Sequence, residues 1–362
     1  LALPVSPEAL TAEFLTEALR SAGALDRDGT VRAIKYERVG EGVGFIGVVA
    51  KLALTYEGTA GPPSAIAKFP STDEGARTIG NLYGLYEREV RFYREIASRS
   101  QLDCARCYAA DWDAAAAQSF ILLEDLGLHG TVGDQIAGCT PAEAALALRH
   151  LARFHATWWD NPEMAKISWL QRGSDLVRAS MTQVYEDSRA PFLEVFGERL
   201  APEVRDSVTG LNERVLAAMD EFDRRDLYTI VHGDFRIDNL FFGCNGGPYE
   251  LAVIDWQSPN RGWGAYDLAY FMSGSMPPEQ RRAGERAALE RYHRTLRDGG
   301  VKGYSFDDLL ADYRASLMVY LAIFVVNGAT LERSNERAVQ LFEVIFDRLN
   351  SAIVDHDATR AL

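Results

Sequence analysis

The stretch from Ile230 to Phe242, IVHGDFRIDNLFF, constrains this chain more than any other. It reads as an apolar strand, a polar loop and a second apolar strand. The loop carries His232, Asp234 and Asn239 in the pattern H-x-D-x-x-x-x-N. A catalytic loop of the kinase type, which transfers a phosphoryl group to a hydroxyl, needs those residue types at that spacing. One carboxylate accepts the hydroxyl proton, and an amide oxygen a few residues on holds a metal at the phosphates. A third apolar run, Leu251-Ala252-Val253-Ile254, ends in Asp255, sixteen residues after Asn239 and suited to the same metal. An apolar run ending in an acid is common by chance; two such segments in this order and spacing are much less so.

Upstream, two strand-like runs, 31–39 and 48–56, flank a glycine-rich turn. Gly42, Gly44, Gly47 and Val49 fit G-x-G-x-x-G-x-V, in which glycines let the backbone approach phosphates without interference from a Cβ. The same glycines open a dinucleotide-binding fold, but there a helix follows at once. Here Val49, Leu52, Leu54 and Tyr56 continue as a strand. A glycine-rich hairpin that binds nothing is the plain alternative. After the turn Gly61-Pro62-Pro63, Lys68 lies inside the apolar strand Ser64 to Phe69. An ammonium there costs free energy unless it is paired or reaches solvent. A helix is expected over 75–98, with Leu82, Tyr86, Val90, Tyr93 and Ile96 on one side.

HGDFRIDN followed by VIDWQSPNRGWGAYDLAYF resembles the aminoglycoside phosphotransferase and choline kinase group, and is most similar to its ecdysteroid-kinase-like branch. The resemblance runs from Val31 to the C-terminal helices and is specific over 230–270. It implies an α+β, protein-kinase-like fold of two lobes. Residues 1–125 would form an antiparallel-sheet N-terminal lobe, and residues 126–362 a mainly helical C-terminal lobe with the catalytic loop and substrate pocket. It implies ATP as donor and Mg2+ as metal, with Asp234 as base and Asn239 and Asp255 as metal ligands. Gly42, Gly44, Gly47 and Lys68 would meet the phosphates. Glu89, in EREVRFY, would pair with Lys68, against the competing Glu87 and Glu95. The hinge would fall at Glu124-Asp125-Leu126-Gly127, where backbone groups at Glu124 and Leu126 would bind adenine. His232 and Asp267 would support the loop rather than do chemistry.

Asp255-Trp256-Gln257 stands where a protein kinase has D-F-G. Only twelve residues separate Asp255 from Asp267, and no A-P-E follows. That leaves no room for a phosphorylatable activation segment and favours a constitutively assembled small-molecule kinase. A catalytically silent nucleotide-binding module is the alternative. Such a protein would usually have lost one of Lys68, Asp234, Asn239 and Asp255, and all are present.

Other stretches carry structure rather than chemistry. Ser6 and Pro7 are expected to open a helix that Gly23 ends. Thr140-Pro141-Ala142-Glu143 is a capping box starting a helix to Trp159. His155 and Trp158, on its inner face, read as core residues. Asp238 is expected to face solvent. The C-x-x-C at Cys104 and Cys107 lacks a second pair and reads as structural. The longest apolar run, Leu317 to Val326, is too short to span a bilayer and reads as a buried helix.

Composition narrows the partners. The chain has 362 residues, a net charge of −14 and 25% charged residues, which argues against non-specific nucleic-acid binding and against an anionic membrane surface. The first residues lack the basic-then-apolar pattern of a signal peptide, so a reduced, cytoplasmic setting is expected. The expected partner is a small-molecule hydroxyl substrate. Acidity suits a cationic amino sugar or choline-like alcohol. Trp158, Trp159, Trp263 and Tyr320 suit a bulkier, more apolar alcohol, the reading favoured here because whole-chain charge says little about one pocket.

Overall fold

Period-two alternation builds the main sheet of this computed structural model, which describes residues 3–39, 47–243, 247–329 and 335–362. Strands β1 (Thr30–Val39), β2 (Gly47–Glu57), β3 (Ser64–Pro70), β4 (Cys107–Asp113) and β5 (Gln118–Glu124) pair antiparallel in the order β1-β2-β3-β5-β4. Ala50, Leu52 and Leu54 of β2 and Ala65, Ala67 and Phe69 of β3 are buried on one face. Helix α1 (Ala12–Ser21) covers that face with Leu15 and Leu19. Alternation sends Lys68 to the other face of β3, away from this apolar core. No helix follows Gly47, so the dinucleotide-binding topology is excluded.

Two expected helices differ in detail. Pro7–Ala9 is only a 3-10 turn, and Ser6 makes no side-chain cap. Leu10 is extended, and Thr11 caps α1 instead by accepting from the Phe14 amide at 3.1 Å. The helix expected over 75–98 breaks at Gly84, whose φ of +64° interrupts the right-handed path. It becomes α2 (Glu74–Leu82) and α3 (Leu85–Arg91), which widens into a π-helical turn at Phe92–Ile96. Tyr86, Val90, Tyr93 and Ile96 are buried, but Leu82 is 76% exposed. The break turns its face away from the stripe that α3 buries.

The chain divides into two compact units, the first comprising residues up to Thr131 together with Phe241–Ser258 and the second comprising Val132–Leu240 with Pro259–Leu362. This differs from the expected division at 125/126. The short strands are β6 (Gly130–Val132), β7 (Thr229–Val231), β8 (Leu240–Gly243), β9 (Leu251–Val253) and β10 (Asn260–Gly262). β8 pairs with β9, and Val253 of β9 bridges in parallel to Cys104, its amide donating to the Asp103 carbonyl at 2.9 Å. Those bonds return the segment before Asp255 to the first unit. They also give Cys104 a structural use, and among the described residues no group of three or more acidic, histidine or cysteine side chains is placed to hold a metal.

The second unit is mainly helical: α4 (Pro141–Trp158), α5 (Gly173–Ser180), α6 (Gln183–Phe196), α7 (Pro202–Ser207), α8 (Leu211–Arg225), α9 (Gly264–Ser275), α10 (Pro278–Asp298), α11 (Phe306–Ala329) and α12 (Glu336–Asp355). Thr140 and Glu143 form the expected capping box of α4, and Ala147, Leu151, Phe154, His155 and Trp158 are buried along it. α11 contains the Leu317–Val326 run. It is long and apolar enough to cross a membrane by length and composition, but 72% of its most apolar window is buried inside the protein. It is the core helix of this unit, packed on α9, α6 and α12.

Candidate active site

In the first unit, Lys68 lies opposite Val49 on β2 and Ile121 on β5. Its Nζ donates to Glu89 Oε1 at 2.5 Å and to Asp255 Oδ1 at 3.1 Å. Burial works against the ammonium, but the two carboxylates reverse this and raise the Lys68 pKa above its ordinary value. Burial raises the pKa of Glu89, Lys68 lowers it and Asp255 raises it further, and the net shift is upward. The competing glutamates are spent elsewhere: Glu87 and Glu95 both pair with Arg91, at 2.7 and 3.2 Å, on the exposed side of the helix.

Asp255 has a φ of +66°. That left-handed conformation is uncommon for a residue with a Cβ, although aspartate tolerates it better than most. The next two side chains hold it in place. Trp256 is fully buried, stacks on Phe92 and donates its indole N–H to the Val253 carbonyl at 3.2 Å. Gln257 reaches Glu89 Oε2 at 3.5 Å. Sequence reasoning assigned neither residue a role.

The expected hinge is anchored by Asp125, whose side chain is buried. It accepts from the Ser64 hydroxyl at 2.6 Å and the Gly127 amide at 3.0 Å, and pairs with Lys51 at 3.0 Å. Burial raises its pKa, but these donors prevail and the net shift is downward. Glu124 accepts from the Tyr249 hydroxyl at 2.5 Å, its amide donates to the Arg106 carbonyl, and the Leu126 carbonyl accepts from the His129 amide. Of the glycines, Gly47 begins β2, where an added Cβ would lie 3.0 Å from the Phe69 carbonyl oxygen. Gly42 and Gly44 lie outside the described residues.

In the second unit, β7 leads straight into the loop of His232, Asp234 and Asn239. Gly233 has a φ of +82°, which glycine adopts freely. Asp267, fully buried on α9, accepts from the amides of His232 at 2.7 Å and Gly233 at 3.0 Å. Behind it, His155 Nε2 lies 3.3 Å from Asp267 Oδ2, and His155 Nδ1 lies 2.6 Å from the Tyr292 hydroxyl. His155 is therefore a hydrogen-bonded core residue that braces the carboxylate beneath the loop. His232 is also fully buried, and its Nδ1 accepts from the Asp234 amide at 3.2 Å.

Asp234 keeps a side-chain exposure of 28%. Its Oδ2 accepts from Asn239 Nδ2 at 3.1 Å and from Arg236 Nε at 3.3 Å, and its Oδ1 from the Tyr270 hydroxyl at 2.6 Å. Asn239 Nδ2 also donates to the Asp234 carbonyl at 2.9 Å. With its nitrogen so engaged, the oxygen of the Asn239 amide is the atom left to ligate, a hard donor suited to magnesium.

Asp238 does not face solvent as expected. Its side chain is 15% exposed, accepts from the Gln135 amide at 2.6 Å and pairs with Arg236 at 3.0 Å. The turn Ile237–Asn239 points it inward at the segment carrying Gln135. Trp158 and Trp263 are buried at 1% and 6% exposure, the latter stacked on Phe222 4.2 Å away, so core packing uses both. Tyr320 is buried as well, at 3% exposure, with its ring 4.3 Å from that of Tyr270. Sequence reasoning missed Tyr270, Arg236 and Gln135. Tyr270 had a signal, because it follows Asp267 by one helical turn and shares its face.

A family model described as the ecdysteroid kinase-like family matches residues 41–303. No curated protein sequence matches the chain. Among solved structures, an ethanolamine kinase from Plasmodium vivax is similar over 98% of this chain and 91% of its own, with 10% identity and a TM-score of 0.57. A choline kinase from Cryptosporidium parvum is similar over 96% and 98%, with 10% identity and a TM-score of 0.53. Wild-type aminoglycoside 2'-phosphotransferase-IIIa, in its GDP complex, is similar over 93% and 98%, with 15% identity and a TM-score of 0.54. These likenesses show a protein-kinase-like fold, an antiparallel-sheet N-terminal lobe and a mainly helical C-terminal lobe. By its family match, the chain belongs to the ecdysteroid kinase-like family.

Proposed function

We propose that the protein is an ATP-dependent phosphotransferase that moves the γ-phosphate onto a hydroxyl of a small molecule. The observation that carries this reading is the part-buried Lys68, held within hydrogen-bonding distance of both Glu89 and Asp255. A lysine kept charged by two acids, one on the third strand's neighbouring helix and one after an apolar strand, suits a nucleotide's phosphates and metal. Family membership and the kinase names of the structural neighbours support the same class.

The geometry within each unit supports these roles. Lys68 would bind the phosphates, and Glu89 would hold Lys68 extended. The Asp255 carboxylate in the first unit, and separately the Asn239 amide oxygen in the second, would each offer Mg2+ a hard oxygen ligand. When bound, the metal would neutralise charge on the phosphates. Asp234 would orient the acceptor hydroxyl and take its proton as the oxygen bonds to the γ-phosphorus and the bond to the bridging oxygen breaks, leaving ADP. Asp267 would keep the loop amides, and through them Asp234, in place.

The acceptor is read as an alcohol with an apolar body, supported by the tyrosines around Asp234 rather than by whole-chain charge. The test is ADP release in the presence of aminoglycosides, choline-like alcohols, macrolides and sterol-type alcohols. Turnover confined to polycationic amino sugars would reject the apolar acceptor. Mg-ATP binding with no release from any of them would favour a silent nucleotide-binding module.

A further inference from the structure

The base proposed above does not stand alone. An ionised carboxylate offers about four lone-pair sites, two on each oxygen. On Oδ2 both are taken, by Asn239 Nδ2 at 3.1 Å and Arg236 Nε at 3.3 Å. On Oδ1 one is taken, by the Tyr270 hydroxyl at 2.6 Å. The remaining site lies on Oδ1, beside the phenol. The Tyr270 ring contacts those of Tyr266, at a centroid distance of 6.0 Å, and Tyr320, at 4.3 Å. Burial raises the pKa of Tyr270 well above its ordinary value, and the Asp234 charge raises it further, so the phenol stays a donor across the physiological range.

We infer that Tyr270 is a positioning residue for phosphoryl transfer: its hydroxyl fixes Asp234 so that the second lone pair of Oδ1 is the one that receives the acceptor's hydroxyl. The inference rests on Asp234 being the base. Asn239 and Arg236 hold one oxygen, and Tyr270 stops the carboxylate from twisting about the other. The same helix holds the loop backbone through Asp267, one turn earlier, so α9 sets both the loop and the direction of its carboxylate. Without the phenol, Oδ1 has two open sites and the acceptor hydroxyl two ways to bind.

The experiment uses the full chain with Mg-ATP, measuring steady-state ADP release with water as acceptor and with any alcohol that turns over. Tyr270→Phe keeps the ring and its packing and removes only the donor. The expected result is a fall in kcat on the order of 10-fold, with the KM for Mg-ATP changed by less than about 2-fold. In an Asp234→Asn background the same substitution should change kcat by less than about 2-fold, because the carboxylate it orients is gone. The thermal midpoints of wild type and Tyr270→Phe, with and without Mg-ATP, establish that both are folded. An unchanged kcat in Tyr270→Phe, an equal loss in both backgrounds, or a loss that appears mainly in the KM for Mg-ATP each overturns the inference. If Asp234→Asn itself turns over like wild type, or the wild type releases no ADP with water or any alcohol, the underlying reading fails instead and takes the inference with it.

Discussion

Trp256 lies face to face on Phe92, with ring centroids 3.8 Å apart and planes 5° from parallel. The contact joins the residue after Asp255 to the turn that continues the helix of Glu89. It fixes both acids that pair with Lys68, and it does so through packing rather than charge. Deleting a fully buried indole leaves a cavity and typically costs about 3–5 kcal/mol. Trp256→Ala should lose that much stability in urea unfolding, and Mg-ATP affinity should fall with it. Trp256→Phe should keep most of both.

Asp234→Asn removes the proposed proton acceptor and puts an NH2 donor in place of one of the two oxygens that accept from Asn239, Arg236 and Tyr270. General-base catalysis contributes on the order of 100-fold to 10,000-fold. Turnover on an established acceptor should drop by that range while Mg-ATP binding, followed by calorimetry, stays within a factor of about 2. Unchanged turnover would remove Asp234 from the mechanism.

If Asp255 serves the metal as proposed, Asp255→Ala should weaken Mg-ATP binding more than it weakens binding of adenosine, because its carboxylate also pairs with Lys68. Activity should require Mg2+ or Mn2+ and vanish with chelator. Equal losses for both ligands would count against a metal role.

The last prediction concerns stability. Glu285 on α10 is 6% exposed, pairs with Arg281 at 2.8 Å and His356 at 2.7 Å, and accepts from Tyr313. Burial raises its pKa, but these partners more than offset the effect and hold it below the ordinary 4.5. The carboxylate is thus favoured as an anion in the folded chain. Its contribution is complete above about 4.5 and is lost as pH falls through the lower folded value. Glu285→Gln should destabilise the protein at pH 7 by on the order of 3 kcal/mol. The gap from wild type should narrow on acidification below about pH 4.5. A gap that stays constant from pH 7 to 4 and below would mean the charge is not what stabilises the cluster.

The sequence made the strand and loop segments readable because their cause is local. Alternation in β2 and β3, the capping box of α4 and the acid after β9 are all written within a few residues. Likeness to a motif points to Glu89, and the structure separates it from Glu87 and Glu95 by burial, which depends on how α3 packs. The break at Gly84 was hidden because a single glycine also occurs inside continuous helices. Asp238 was misjudged because its partner, the Gln135 amide, lies 103 positions away in the chain. Tyr270 falls between these cases: its spacing from Asp267 was visible, but the carboxylate it meets belongs to another segment.

Gln135 is 1% exposed, and its Oε1 accepts from the Ile237 amide at 3.1 Å and the Ser275 hydroxyl at 3.2 Å. Arg348 of α12 donates to the Gln135 carbonyl at 2.7 Å and to those of Gly274 and Ile136. The prop under the loop of Asp234 thus begins more than a hundred residues further along the chain. In deletion mapping, removal of α12 would abolish any activity that depends on Asp234 and invite its assignment as a substrate-binding or regulatory tail. A nonsense codon before Arg348 would likewise behave as an active-site lesion, although no residue it removes need ever meet a ligand.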